Sequence, residues 1–131
     1  MAGFSDYLED KVLDHVFGGT AYTAPSTLYV GLYTAAPSDS GGGTEVTGGS
    51  YARKSMPAMT VSGTSPTQAT NGAAVEFVTA TGSWGTVTHC GVFDAVSSGN
   101  LLGWAALTAS KAVASGDVFR FDAGDLDITL A

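Results

Sequence analysis

These 131 residues predict an all-β chain, an antiparallel β-sandwich or jelly-roll-like domain led by one N-terminal α-helix. Apolar residues alternate with polar or small ones over many short segments, the period of a half-buried strand. Glycine- and asparagine-bearing turns separate those segments at short intervals. Gly, Ala, Ser and Thr supply 66 of the 131 residues. That mix suits short strands whose surfaces approach closely, and it leaves few charged and aromatic groups to line a pocket. The length is that of one domain, 1–131, long enough to bury roughly two thirds of its unfolded surface without metal or disulfide.

The helix comes first, within a helical segment spanning residues 1–19. Ser5 is placed to cap it, with Asp6, Glu9 and Asp10 in the turns where the helix dipole favours anions. Phe4, Leu8, Val12 and Val16 recur every four residues, Leu13 and Phe17 widen the stripe, and Gly18 with Gly19 supplies the stop. The period then changes to alternation for the β domain, residues 20–131. In residues 27–34 (TLYVGLYT), Leu28, Val30 and Leu32 share one face, and Tyr29, Gly31 and Tyr33 the other. Residues 35–50 form a long, flexible, glycine-rich loop by composition. Residues 51–61 read as a strand that Pro57 breaks or confines to an edge. Asn71-Gly72 turns the chain into a strand over residues 74–79, and residues 84–95 and 101–107 form a hairpin around Ser97, Ser98, Gly99 and Asn100. Ser115, Gly116 and Asp117 turn into residues 118–121, and a last strand alternates Asp125, Asp127 and Thr129 with Leu126, Ile128 and Leu130. Seven or eight strands result, with no internal repeat.

Charge narrows the function. Five basic residues stand against twelve acidic ones, a net charge of -7. Nucleic-acid binding draws on Lys and Arg to neutralise phosphates, so neither a nucleic acid nor an anionic membrane is an expected partner. No apolar run is long enough to span a bilayer, and the first residues lack the basic start and apolar core of a signal peptide. The expectation is a soluble protein made in the cytosol. Cys90 is the single cysteine, so it has no internal disulfide partner.

Each place where chemistry could reside has a plainer reading. His89 and Cys90 are neighbours on a strand and point to opposite faces, which separates a nucleophile from its base; Cys90 reads as a small buried hydrophobe. The sequence holds two histidines and no metal-ligand spacing. Asp122, Asp125 and Asp127 cluster but lack the closing Glu of a calcium loop, and read as a turn with one polar strand face. Gly41, Gly42 and Gly43 are not followed by the Lys-Ser or Lys-Thr of a phosphate loop. Tyr29, Tyr33, Tyr51, Trp84 and Trp104 could stack sugars, and fit core or cross-strand positions better. No catalytic, cofactor-binding or metal-binding residue is assigned, and no cofactor or enzymatic activity is expected.

Residues 28–53 (LYVGLYTAAPSDSGGGTEVTGGSYAR), 13–19 (LDHVFGG) and 82–94 (GSWGTVTHCGVFD) together resemble a family of small structural proteins encoded among the virion genes of tailed bacteriophages. Members of that family are commonly labelled tail-fibre proteins, and such small β proteins also serve as capsid decoration proteins. The resemblance implies a non-enzymatic virion component assembled in the host cytoplasm. Its leading expected role is capsid decoration, or cement, on the major capsid protein lattice. The alternatives are a tail or tail-fibre-associated protein and a carbohydrate-binding module for the host surface. A symmetric homo-oligomer, a trimer for preference, is expected from the uncovered apolar helix stripe, the scarcity of charge to protect strand edges, and the symmetry of decoration proteins.

Overall fold

Ser5 starts the helix as its position requires. Its hydroxyl accepts the Leu8 N–H at 3.2 Å, and helix α1 runs Asp6–Leu13. The computed structural model describes residues 3–64 and 66–130, for Leu130 the backbone alone. Ahead of α1, the two-residue strand β1 (Gly3–Phe4) pairs with the chain near Trp104. The helix is shorter than its apolar stripe predicts: after Leu13 it widens into a π-helical turn, Asp14–Gly18, that ends on left-handed Gly19 (φ 77). Glycine favours helix poorly, and the Thr20 N–H closes the turn on the Asp14 carbonyl at 3.1 Å.

The large sheet is built on three long antiparallel strands in the order β9 (Leu101–Val113), β8 (Gly85–Phe93), β2 (Leu28–Ala35). β1 adds to β9, while β3 (Thr44–Glu45) and β4 (Lys54–Met56) add to β2. Alternation sets the faces: Val30 and Leu32 are fully buried on the inner one, beside Cys90 and Val92. Val87 reaches that same face from an odd position because the register between β8 and β9 shifts between Val87 and His89. Lys111 pairs with Val87, but Ala106 pairs with His89, so residues 107–110 bulge opposite Thr88.

Smaller sheets form the second layer. β7 (Val75–Glu76) pairs with β10 (Arg120–Phe121), and β6 (Thr67–Thr70) lies between β5 (Thr60–Ser62) and β11 (Asp127–Leu130). Val75, Phe77, Phe119, Phe121 and Leu126 close the core against the large sheet. Buried Asn71 holds this layer together. Its Nδ2 donates to the Ala73 and Asp122 carbonyls, and its Oδ1 accepts the Gly124 and Leu126 N–H groups. The molecule is thus the expected sandwich with an N-terminal helix, cut into more and shorter strands. Pro57 separates β4 from β5 as predicted, β9 outlasts its expected end at residue 107, and β6 has no counterpart in the sequence reading. The glycine-rich segment 35–50 is more structured than its composition suggests. Ser38 and Gly41 exchange backbone hydrogen bonds at 2.8 and 2.9 Å, β3 joins the sheet, and Val46 enters the core.

Candidate functional site

The structure distributes the chemically capable residues rather than assembling them. Cys90 is buried on the inner face, where desolvation pushes its thiol up to about 11. His89 points to the other face, with Nδ1 2.8 Å from the Thr88 hydroxyl and its ring 5.9 Å from that of Trp104. Asp122 accepts the Arg120 Nε–H at 2.8 Å, and Asp125 closes a turn by accepting the Asp122 N–H at 2.9 Å. The Gly41 N–H is used by the Ser38 carbonyl. Among the described residues, no three His, Cys, Asp or Glu side chains come close enough to share a metal ion. No helix among them is long and apolar enough to cross a membrane.

The aromatics divide in the same way. Trp84 is a core residue whose indole N–H donates to the Gly49 carbonyl at 2.9 Å, and the Tyr51 ring meets it edge to face at 5.3 Å. Tyr33 lies buried on the opposite face, stacked 6.2 Å from Phe93. Tyr29 and Trp104 are half-buried, and the Trp104 indole donates to Asp39 at 2.9 Å. No common platform of the five is formed.

A charged hub that sequence reasoning did not single out sits on this outer face. The Arg53 side chain is 9% exposed. Its Nε and Nη2 donate to the two carboxylate oxygens of Glu45, each at 2.8 Å, a fork geometry that strengthens both bonds. Its Nη1 donates to the Ala95 and Ser98 carbonyls at 3.0 and 2.7 Å, and the guanidinium lies 3.4 Å above the Phe93 ring. The Tyr51 hydroxyl donates to Glu45 at 2.7 Å and accepts the Leu32 N–H at 2.9 Å. Burial opposes the Arg53 charge, but Glu45 outweighs it and holds the guanidinium above its ordinary pKa. Burial, then the Glu45 hydrogen bond, pushes the Tyr51 hydroxyl well up. Gly31 makes the arrangement possible: a Cβ there would stand 2.8 Å from the Phe93 ring and 2.9 Å from the Glu45 carboxylate. Tyr51 and Arg53 follow Glu45 by six and eight residues, whereas Leu32, Ala95 and Ser98 are distant in sequence, and the pairing of β3 and β4 with β2 helps to bring them together. The hub ties those strands to the turn between β8 and β9, and its acid and base spend their hydrogen bonds on each other.

The unspent groups lie elsewhere. At the end of α1 and in the following turn, Leu13, Val16 and Phe17 are 58%, 61% and 81% exposed. Beside the bulge in β9 runs a groove of about 360 Å³, with Leu107, Phe119, Phe121 and Ile128 among its apolar lining. A second cleft of about 550 Å³ is lined by Tyr33, Phe93 and Arg53 together with Tyr7, Asp39 and Asn100.

The fold and its surface thus define a small β-sandwich whose buried charges brace its own strands and which leaves apolar side chains outside. The family follows from comparison. The family model described as "Podophage GP4 fiber I protein gp80" matches residues 3–129, and the chain belongs to that family of phage virion, tail-fibre proteins. No curated protein matches it. The chain is therefore a fibre- or tail-associated structural protein and a virion component. The match upholds the resemblance to virion structural proteins and favours the tail-fibre alternative; capsid decoration, the leading expectation, gains no support from it.

Proposed function

We propose that this protein is a non-enzymatic, self-associating subunit of the tail fibre that works through surface contact. The observation that carries this reading is the contrast in how groups are used. The strongest acid–base pair, Glu45 with Arg53, is consumed in bracing the sheet, whereas the largest exposed apolar side chain, Phe17, serves no packing role in its own subunit. Membership in a fibre family supplies the setting. Association of identical chains usually closes into a symmetric ring, and a trimer is the state to test first. Immunogold labelling of intact virions with an antibody to this chain provides the test. Gold along the fibre is expected, and gold confined to the head would replace this reading with capsid decoration.

The carbohydrate-module reading keeps one specific site, the cleft beside Tyr33. The Tyr33 ring is buried there, and its hydroxyl has no hydrogen-bond partner among the described residues. Binding of the isolated protein to a glycan array, lost in Tyr33→Phe, would favour it.

A further inference from the structure

We propose that copies of this chain join head to tail, the apolar end of α1 on one copy seating in the groove beside the β9 bulge on the next. This rests on the tail-fibre reading for its setting, though not for its test.

Two features need covering, and they are complementary. One is convex. Leu13, Val16 and Phe17 project from the last helical turn and its π-helical extension, and Phe17 is 81% exposed. Soluble proteins rarely leave several large apolar side chains together in water unless the patch meets a partner. The other is concave. The groove takes its walls from the bulged part of β9 and from the start of β11, with Phe119 and Phe121 in its floor. Its volume, about 360 Å³, lies in the range of sites that enclose small ligands, about 300–1,000 Å³, and is large enough for one aromatic ring with an aliphatic neighbour. No residue of α1 lines the groove, so a copy does not fill it with its own helix. The charges near each feature also match. Lys111 lies in the groove lining with Asp125 and Asp127, and Asp14 and Lys11 flank the helix end, so each side offers both signs.

A knob on one surface and a hole on another form a heterologous contact. Such contacts generate a ring where the rotation between copies closes and a filament where it does not. Either product is a repeating assembly of one chain, and a ring of three reconciles this contact with the expected trimer. Isologous pairing of two helix ends would instead leave the groove empty and stop at a dimer.

The test uses the full chain in solution, with sedimentation velocity as the readout. Phe17→Asp removes the knob, and Ala109→Arg blocks the groove from an exposed lining position in phase with Leu107 and Lys111. Thr108→Arg is a second blocking variant, and circular dichroism checks that all three fold. Wild-type protein is expected to associate, and each variant to associate roughly thirtyfold more weakly or less, the loss typical of a central interface residue. Mixing Phe17→Asp with Ala109→Arg restores one intact knob and one intact groove, so the mixture forms a one-to-one dimer and nothing larger. Three results would overturn the proposal: wild-type protein that stays monomeric at high concentration, blocking variants that associate like wild type, or a mixture that stays monomeric. Because immunogold labelling locates the protein independently, a failed contact and a failed fibre assignment are distinguishable.

Discussion

The segment from Glu45 to Arg53 and the segment from Leu13 to Phe17 both hold groups that are costly to place badly, and the molecule treats them in opposite ways. A buried guanidinium is tolerated only if its hydrogen bonds are met, and Arg53 has both oxygens of one carboxylate and two carbonyls as partners. The helix end is left uncovered, although burying one large apolar side chain is worth about 1.5–3 kcal/mol. The first segment serves the fold and the second is spare surface. Sensitivity of the fold to mutation should therefore be concentrated in the hub, and sensitivity of assembly at the helix end.

The largest expected effect separates the two directly. Arg53→Met leaves two carbonyls without their donor and Glu45 with Tyr51 as its one remaining side-chain donor, and it removes the cation from the Phe93 ring; it should cost about 3 kcal/mol in urea unfolding. A loss below 1 kcal/mol would show that the hub is not the brace described. Gly31→Ala comes next. Its added methyl meets the Phe93 ring and the Glu45 carboxylate, and overpacking of this kind costs about 1–3 kcal/mol. The same substitution at Gly19, which has nothing within 4 Å, tests only the left-handed backbone and should cost less.

Alkaline pH sharpens the contrast, because the buried ionisable groups lie in the sheets and not in the helix end. Burial raises the Cys90 thiol from 9.0 to about 11 and the Tyr33 hydroxyl from 10.0 to about 12. The unfolded chain loses these protons first. The stability they provide is complete below pH 9 and drains away as the pH rises through 9–11 for Cys90 and 10–12 for Tyr33. The unfolding midpoint should hold from pH 7 to 9 and then fall, and Cys90→Ala should delay the onset of that fall. A midpoint that falls equally in both proteins from pH 9 would count against burial of the thiol. The smallest effect belongs to Arg120, whose contacts with Glu76 and Asp122 lie at the surface. Arg120→Ala should leave the midpoint unchanged within error, since exposed pairs contribute little.

Those ranks also mark how far the sequence can be read. The strand alternation of TLYVGLYT identified the inner face of β2, and the separation of His89 from Cys90 followed from the same period. The Ser5 cap and Pro57 break rest on local stereochemistry, which is visible in any window of a few residues. β6 was missed because Thr67, Gln68, Ala69 and Thr70 carry no large apolar side chain; pairing with β5 and β11 makes it a strand. The glycine-rich segment 35–50 read as loose because its anchors, Val46 in the core and Glu45 on Arg53, depend on residues that fold beside it from elsewhere. The groove was invisible for a related reason. It follows from a register shift between β8 and β9, and no count of apolar residues reports a shift. The helix end was legible as an apolar stripe, and the structure adds that its last turn stays uncovered.

Deleting residues 1–19 would mix the two regions, since β1 pairs with β9 and the Ser5 N–H donates to the Leu102 carbonyl at 2.8 Å. Phe17→Asp isolates the helix end. The most direct test of the account sets its unfolding midpoint beside its sedimentation coefficient, with Arg53→Met measured in parallel. The account predicts that Phe17→Asp unfolds within about 0.5 kcal/mol of wild type yet no longer self-associates, while Arg53→Met loses stability and, where still folded, associates normally. A Phe17→Asp protein that is markedly less stable, or that associates as well as wild type, would contradict it.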